Sequence, residues 1–149
     1  MLSRGIVELS SSPWASPVIL VKKKDDTWRF YVDYQHLNKI TKTDVYSLSC
    51  IDEALDCLHG APKYFSSIYL CSGYWQIAVD DMCHEKTAFI TPDGLYQFKV
   101  MPFGLCNAPA TFERMMDTLL QGLKWSICLC YLDDVTVFAP TFATHLERL

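Results

Sequence analysis

Asp133 and Asp134 stand side by side between two apolar runs, 126–132 (SICLCYL) and 135–139 (VTVFA). Adjacent carboxylates at a hairpin tip repel each other, and a cation relieves the repulsion. Hard divalent ions such as magnesium take oxygen ligands, often one or two carboxylates plus substrate phosphates. Asp is also an ordinary turn residue, so the pair alone points only weakly to metal chemistry. A second group that could do chemistry is cationic: Lys22, Lys23 and Lys24, followed by Arg29. Such a run is commonly a solvated face, but it can also grip phosphates.

Elements that could position these groups can be read from periodicity. Residues 18–24 and 28–32 are short β-rich runs separated by Asp25, Asp26 and Thr27, which predicts a hairpin. Residues 51–58 place Ile51, Ala54, Leu55 and Leu58 on one helical face, with Ser49 as N-cap and Gly60 as terminator. Strands are predicted over 64–70 and 87–91, a turn at Pro92-Asp93-Gly94, and a returning strand over 95–101. A loop (PFGLCNAP) then leads to a helix over about 108–123, with Asn107 as cap and Pro109 in its first turn. Its apolar face would comprise Phe112, Met115, Met116, Leu119, Leu120 and Leu123. Two strands follow on either side of the Asp pair, and Thr141 begins a last helix. This order predicts an α+β architecture, an antiparallel sheet with helices packed on one face.

Composition sets the outer bounds. The chain has 149 residues, half of them apolar and a fifth charged, as expected of one globular domain. No apolar run reaches 18 residues and the first residues hold no apolar core of leader length, so neither membrane insertion nor export is expected and an intracellular location is. The seven cysteines form no CxxC pair, so they signal neither a disulfide framework nor zinc. Cys128 and Cys130, two apart in an apolar run, are read as buried small residues on one strand face. Net charge is −4, but residues 1–42 carry seven Lys/Arg against four Asp/Glu, and residues 43–149 carry six against thirteen. A basic first third beside an acidic remainder suits a protein that grips phosphates with one part and metal ions with another.

Four motifs now stand in order: SPWASPVILVKKKDDTWRFYVDYQHLNK from Ser12, SGYWQI from Ser72, MPFGLCNAPATF from Met101, and Tyr131-Leu132-Asp133-Asp134. With them the chain resembles the reverse transcriptases of gypsy-type long-terminal-repeat retrotransposons and, more distantly, of retroviruses. The resemblance runs collinearly from Gly5-Ile6-Val7 to His145-Leu146-Glu147. It implies a fingers-and-palm unit, with about 1–45 and 75–100 fingers-like and about 46–74 and 101–149 palm-like, and with the thumb absent from this chain. The implied activity is RNA-directed DNA polymerisation, a two-metal nucleotidyl transfer that extends a primer on an RNA or DNA template. Two Mg2+ or Mn2+ ions are the implied cofactors. Template-primer and dNTP are the implied partners, with the thumb and RNase H parts of a Pol polyprotein in an intact element.

The implied residue roles follow from the same motifs. Asp133 and Asp134 match the metal-binding carboxylates. Lys23 and Arg29 match residues that hold the incoming triphosphate. Tyr74 matches the ring that excludes a ribose 2′-hydroxyl, and Phe103 the residue that positions the sugar and base. Gln35, Gly104, Asn107, Pro109 and Tyr131 fall where template and primer are contacted.

The chain also departs from the pattern. The family's first carboxylate stands two residues after paired serines, as in SSLDLxSGYWQ. Here Ser66-Ser67-Ile68-Tyr69-Leu70-Cys71-Ser72-Gly73 places Tyr69 at that position. A neutral phenol is a poor magnesium ligand at neutral pH, and removing one strong electrostatic contributor commonly costs about 100-fold or more. Related elements read VYPLPRIDD where Val45 to Glu53 read VYSLSCIDE, and Gln35 replaces a usual Arg. These departures predict a decaying element copy without activity, either a non-catalytic nucleic-acid-binding relic or an unstable fragment.

Overall fold

Among the described residues, strand-forming runs and turn residues together produce eight short strands. In chain order these are β1 (Val7–Leu9), β2 (Ser16–Lys22), β3 (Trp28–Val32), β4 (Tyr64–Tyr69), β5 (Phe89–Thr91), β6 (Gly94–Phe98), β7 (Cys128–Tyr131) and β8 (Asp134–Ala139). The helices are α1 (Gln35–Ile40), α2 (Ala108–Leu119) and α3 (Phe142–Arg148). The computed structural model describes residues 1–46 and 62–149. The helix expected over 51–58, with Ser49 and Gly60, lies outside the described residues. Two units are formed: residues 1–43 with 74–108, and residues 44–73 with 109–149.

The first unit holds a five-stranded sheet in the order β1-β6-β5-β2-β3. The expected hairpin is β2–β3, with Val18 opposite Val32 and Lys22 opposite Trp28. Its turn is closed by Lys23 N–H donating to Thr27 O (2.7 Å) and by Asp25, which accepts from the Thr27 hydroxyl (2.6 Å). Asp26 takes the left-handed conformation there (φ 61°), which Asp tolerates better than most residues. The sheet is not purely antiparallel, because β2 runs parallel to β5 with Ser16 opposite Phe89. Val7, Val32, Tyr34, Phe89 and Phe98 form the core of this unit.

The strand expected from residue 87 starts two residues later. Thr87 instead ends a 3-10 helix, Asp81–Thr87, capped by Asp80. Its buried hydroxyl donates to His84 O (2.6 Å) and accepts from Phe98 N–H (2.9 Å), so a strand-prone residue serves as a tie between segments. The returning strand stops at Phe98, not 101.

The second unit holds a three-stranded antiparallel sheet, β4-β8-β7. Cys128 and Cys130 are buried, as their spacing implied. Helix α2 ends at Leu119, short of the expected 123, and the chain then turns through Gly122 (φ 82°) and Trp125 (φ 73°). Leu119 and Leu123 are therefore exposed, while Phe112, Met116 and an unexpected Glu113 are buried. Helix α3 begins as expected, with Thr141 Oγ1 accepting from Thr144 N–H (3.2 Å).

Candidate active site

The Asp pair sits at the β7–β8 hairpin, but not as the two turn residues. Leu132 and Asp133 make the turn, Leu132 with φ 51°, and Asp134 already belongs to β8 opposite Tyr131. Strand β4 fixes this tip from the other side, because Leu70 N–H donates to Asp133 O (2.8 Å). Asp133 Oδ1 is buried and has no hydrogen-bond partner among the described residues. Burial, and then the charge of Asp134, pushes its carboxyl above the ordinary carboxylate value.

Tyr69 ends β4 in register with Asp134, which is in register with Tyr131. Residues directly opposite one another on antiparallel strands project from the same face. Asp134 thus lies in a row between two tyrosines, both exposed. The position expected to carry a third carboxylate is next to Asp134, and a phenol occupies it.

In the first unit, Lys23 and Arg29 come together at one open recess of about 450 Å³ beside the β2–β3 turn, with Lys22, Lys24 and Tyr31 also on its wall. Lys22 pairs with Asp26 (2.5 Å), and Arg29 donates to the Tyr31 hydroxyl (2.9 Å). The rings of Tyr74 and Phe103 lie 5.0 Å apart, and Trp75 flanks Phe103 at 6.1 Å.

The loop residues are tied by backbone-directed contacts. Gly104 has φ 95°, which favours glycine, and its carbonyl accepts from Asn38 Nδ2 (2.8 Å). Asn38 Oδ1 also accepts from Cys106 N–H (2.9 Å). Asn107 donates from Nδ2 to Lys42 O (2.9 Å). Gln35 begins α1 exposed, with its N–H held by Asp33 (3.0 Å), and Pro109 is the second residue of α2.

Sequence reasoning missed one charged network. Glu113, 1% exposed on α2, accepts from Lys124 Nζ at 2.8 Å, and Lys124 also pairs with Asp117. Asp117 accepts from the Tyr46 hydroxyl (2.6 Å), while Asp44 pairs with Arg114 (2.7 Å), whose guanidinium lies over the Tyr46 ring. Burial opposes the charge on Lys124, yet hydrogen bonds to Asp117 and Glu113 hold its ammonium above the usual value. Burial likewise opposes ionisation of Asp117, but Lys124 and Tyr46 hold its carboxyl below the usual range. The usable signal was Glu113 and Asp117 at i, i+4, with a lone lysine just past the helix.

The donor set tests the expected cations. Asp133 and Asp134, with one buried oxygen unpartnered, suit a single hard ion completed by phosphate oxygens. They supply two carboxylates and not a third, since the residue opposite Asp134 on β4 is the phenol Tyr69. Asp80 is committed to capping Met82 N–H (2.9 Å). Among the described residues no group of three His, Cys, Asp or Glu converges on one point.

Comparison with known proteins agrees with the fold and the motifs. Residues 21–149 match the model of the family described as reverse transcriptase (RNA-dependent DNA polymerase). The retrovirus-related Pol polyprotein from transposon 297 of Drosophila melanogaster is 42% identical over 154 residues, covering 100% of this chain and 14% of that protein. The transposon Tf2-3 polyprotein of Schizosaccharomyces pombe is 35% identical over 148 residues, covering 99% of this chain and 11% of that protein. The chain thus spans less than a fifth of the length of these relatives. Prototype foamy virus protease-reverse transcriptase has the same fold, with TM-score 0.86 and 24% identity over 99% of this chain and 19% of that one. The foamy viral protein in complex with an RNA/DNA hybrid matches with TM-score 0.84 and 26% identity, over 98% of this chain and 19% of that one. The chain belongs to the reverse transcriptase (RNA-dependent DNA polymerase) family, and is similar to a portion of retrotransposon Pol polyproteins.

Proposed function

We propose that this chain carries the nucleotide-gripping and carboxylate-bearing parts of an RNA-directed DNA polymerase of a gypsy-type element, and that Tyr69 silences its chemistry. The observation that carries the reading is Tyr69 in register with Asp134, the neighbour in sequence of Asp133, whose Oδ1 is buried with no hydrogen-bond partner among the described residues. The first unit is fingers-like and the second palm-like, with the 101–108 loop assigned to the first.

In this reading Lys23 and Arg29 hold the triphosphate of a dNTP by charge-assisted hydrogen bonds. Tyr74, its ring packed at a tilt against Phe103, excludes the ribose 2′-hydroxyl, and Phe103 seats the sugar and base. Gln35, Gly104, Asn107, Pro109 and Tyr131 lie along template and primer. The RNA/DNA hybrid held by the foamy viral relative supports this choice of partner. Asp133 and Asp134 would hold one Mg2+ or Mn2+, which supplies charge neutralisation at phosphate oxygens. The remaining carboxylate needed to hold a second ion and orient the primer 3′-hydroxyl is missing, so the chain binds substrates without joining them.

Primer extension on an RNA template tests this. The chain and its Tyr69→Asp variant are each joined to the downstream part of a related Pol polyprotein and compared with that polyprotein's own enzyme. Extension by the variant, about 100-fold or more above the parent, is the expected result. Equal extension by both would remove Tyr69 as the silencing residue. No extension by either, alongside an active related enzyme, would show that the loss lies beyond Tyr69.

A further inference from the structure

A sheet edge presents open N–H and C=O groups, and proteins usually guard it with charge, proline, a bulge or short length. Among the described residues three of the four sheet edges are guarded. Strand β1 is three residues long and carries Glu8, and β3 carries Arg29. On β7, Cys128, Leu129 and Cys130 are buried, and Cys128 is bridged to Lys124. Strand β4 has no such guard. Its six residues (YFSSIY) include no charge and no proline, and all but Ser66 are exposed. The direction of its free groups follows from the ladder. Phe138 N–H donates to Ile127 O (3.0 Å), so β8 turns its even-numbered residues to β7 and its odd-numbered residues to β4. In keeping with that phase, Leu70 N–H donates to Asp133 O (2.8 Å). Phe65, Ser67 and Tyr69 therefore point their backbone groups away from β8.

We propose that β4 is a self-association edge, which pairs antiparallel with β4 of a second copy of this chain about a two-fold axis at Ser67. A ladder forms only in registers that set outward-pointing residues opposite one another, and centring on Ser67 engages all three. Phe65 of each copy then lies opposite Tyr69 of the other, with Ser67 opposite Ser67. Aromatic pairs across strands stabilise a ladder, whereas opposed like charges weaken it. The edge is thus complementary to itself: uncharged, with a ring on either side of a small hydroxyl at the axis. That self-complementarity makes a second copy the occupant. A two-fold pairing consumes the edge of both copies, so it closes at a dimer. Tyr69 is central to it, because the carboxylate of the family pattern would place a charge on this edge. The residue that removes the third carboxylate also leaves the strand unguarded. One pair of short strands buries less than a stable dimer needs, so the association is weak.

The test is sedimentation equilibrium of the full chain from about 1 µM to about 200 µM, a range suited to weak interfaces. The chain is expected to pass from monomer to dimer and to stop there. Ser67→Lys opposes two ammonium groups at the axis and should stay monomeric throughout, with an unchanged circular dichroism spectrum. Ser67→Cys reads the register independently. Opposed residues in a hydrogen-bonded antiparallel pair lie about 5.5 Å apart at Cα, within reach of a disulfide. Mild oxidation should therefore give a covalent dimer joined from position 67 to position 67, as mapped by mass spectrometry, and Ile68→Cys should give none at position 68. A parent chain that stays monomeric at the highest concentration would overturn the proposal, as would a dimer that survives Ser67→Lys. Open-ended aggregation, or cross-linking at position 68 in preference to 67, would overturn it as well.

Discussion

Gly73 and Asp133 approach so closely that a Cβ on Gly73 would lie 2.9 Å from Asp133 Oδ1, and 2.8 Å from Phe112 Cε2. Carbon atoms in good contact are about 3.5–4.0 Å apart, and Phe112 is only 1% exposed, so its ring is enclosed. Gly73→Ala is expected to lower stability by about 2 kcal/mol through overpacking. Urea unfolding followed by tryptophan fluorescence measures this, and an unchanged midpoint would show that ring and carboxylate yield without cost.

Asp133 gives a pH-dependent prediction. Its folded carboxyl is held above the ordinary value by burial and by Asp134. A group shifted in that direction contributes stability that is fully present below its unfolded pKa and is lost as pH rises through the folded value. Without divalent ions, Asp133→Asn should therefore be more stable than the parent at neutral pH, by about 1 kcal/mol. The gap should close in acid, below about pH 4. Melting temperatures across this range provide the check, and a gap that widens in acid would contradict the sign.

Tyr69→Asp should show a cost before it shows a gain. A third carboxylate in register with Asp134 adds like-charge repulsion, worth up to about 1 kcal/mol for directly opposed residues. Binding of a divalent ion to the folded state offsets that penalty by mass action. The variant should thus melt below the parent in chelator and gain more from millimolar magnesium. Calorimetric scans at both conditions decide it, and equal magnesium responses would argue that the carboxylates do not converge.

The Lys124 network should matter more than any exposed ion pair. Both Glu113 and Lys124 have side chains below 10% exposure. Removing one partner of a buried pair typically costs about 3 kcal/mol or more, so Lys124→Met should unfold at much lower urea than Lys22→Met, whose partner Asp26 is largely exposed. Because Lys124 is held above its usual value, its contribution is full below that value and is lost as pH rises through the folded one. Asp117 is shifted the other way, so its contribution is present above the ordinary carboxylate range and is lost in acid. Comparable losses for Lys22→Met and Lys124→Met would overturn the ranking.

Much of this was legible in the chain itself. Alternation and turn residues were enough for β2–β3, β4, β7–β8 and α3, because each is decided locally. The motifs carried the family. What was not legible was decided by distant partners. Thr87 is β-prone, but its hydroxyl bonds His84 and Phe98 and closes a 3-10 helix instead. Glu113 reads as a surface residue until Lys124, eleven positions away, folds back onto it. Leu132 takes a left-handed conformation unusual for its type, so the turn shifted one residue ahead of the aspartate pair. The register of Tyr69 with Asp134 depends on β4 and β8 pairing across some 65 residues of chain, which no local pattern encodes.

The polypeptide passes from one unit to the other at residues 43–44, 73–74 and 108–109. Neither unit is therefore a continuous stretch of gene. A protease nick at 73–74 would divide both sheets between two fragments, whereas one at 43–44 would divide only the five-stranded sheet and one at 108–109 only the three-stranded sheet. Expression of either unit alone would require its two segments to be joined directly, with the intervening stretch removed. The two sheets are coupled by connectivity, and removing the whole of one unit as a single stretch necessarily removes part of the other.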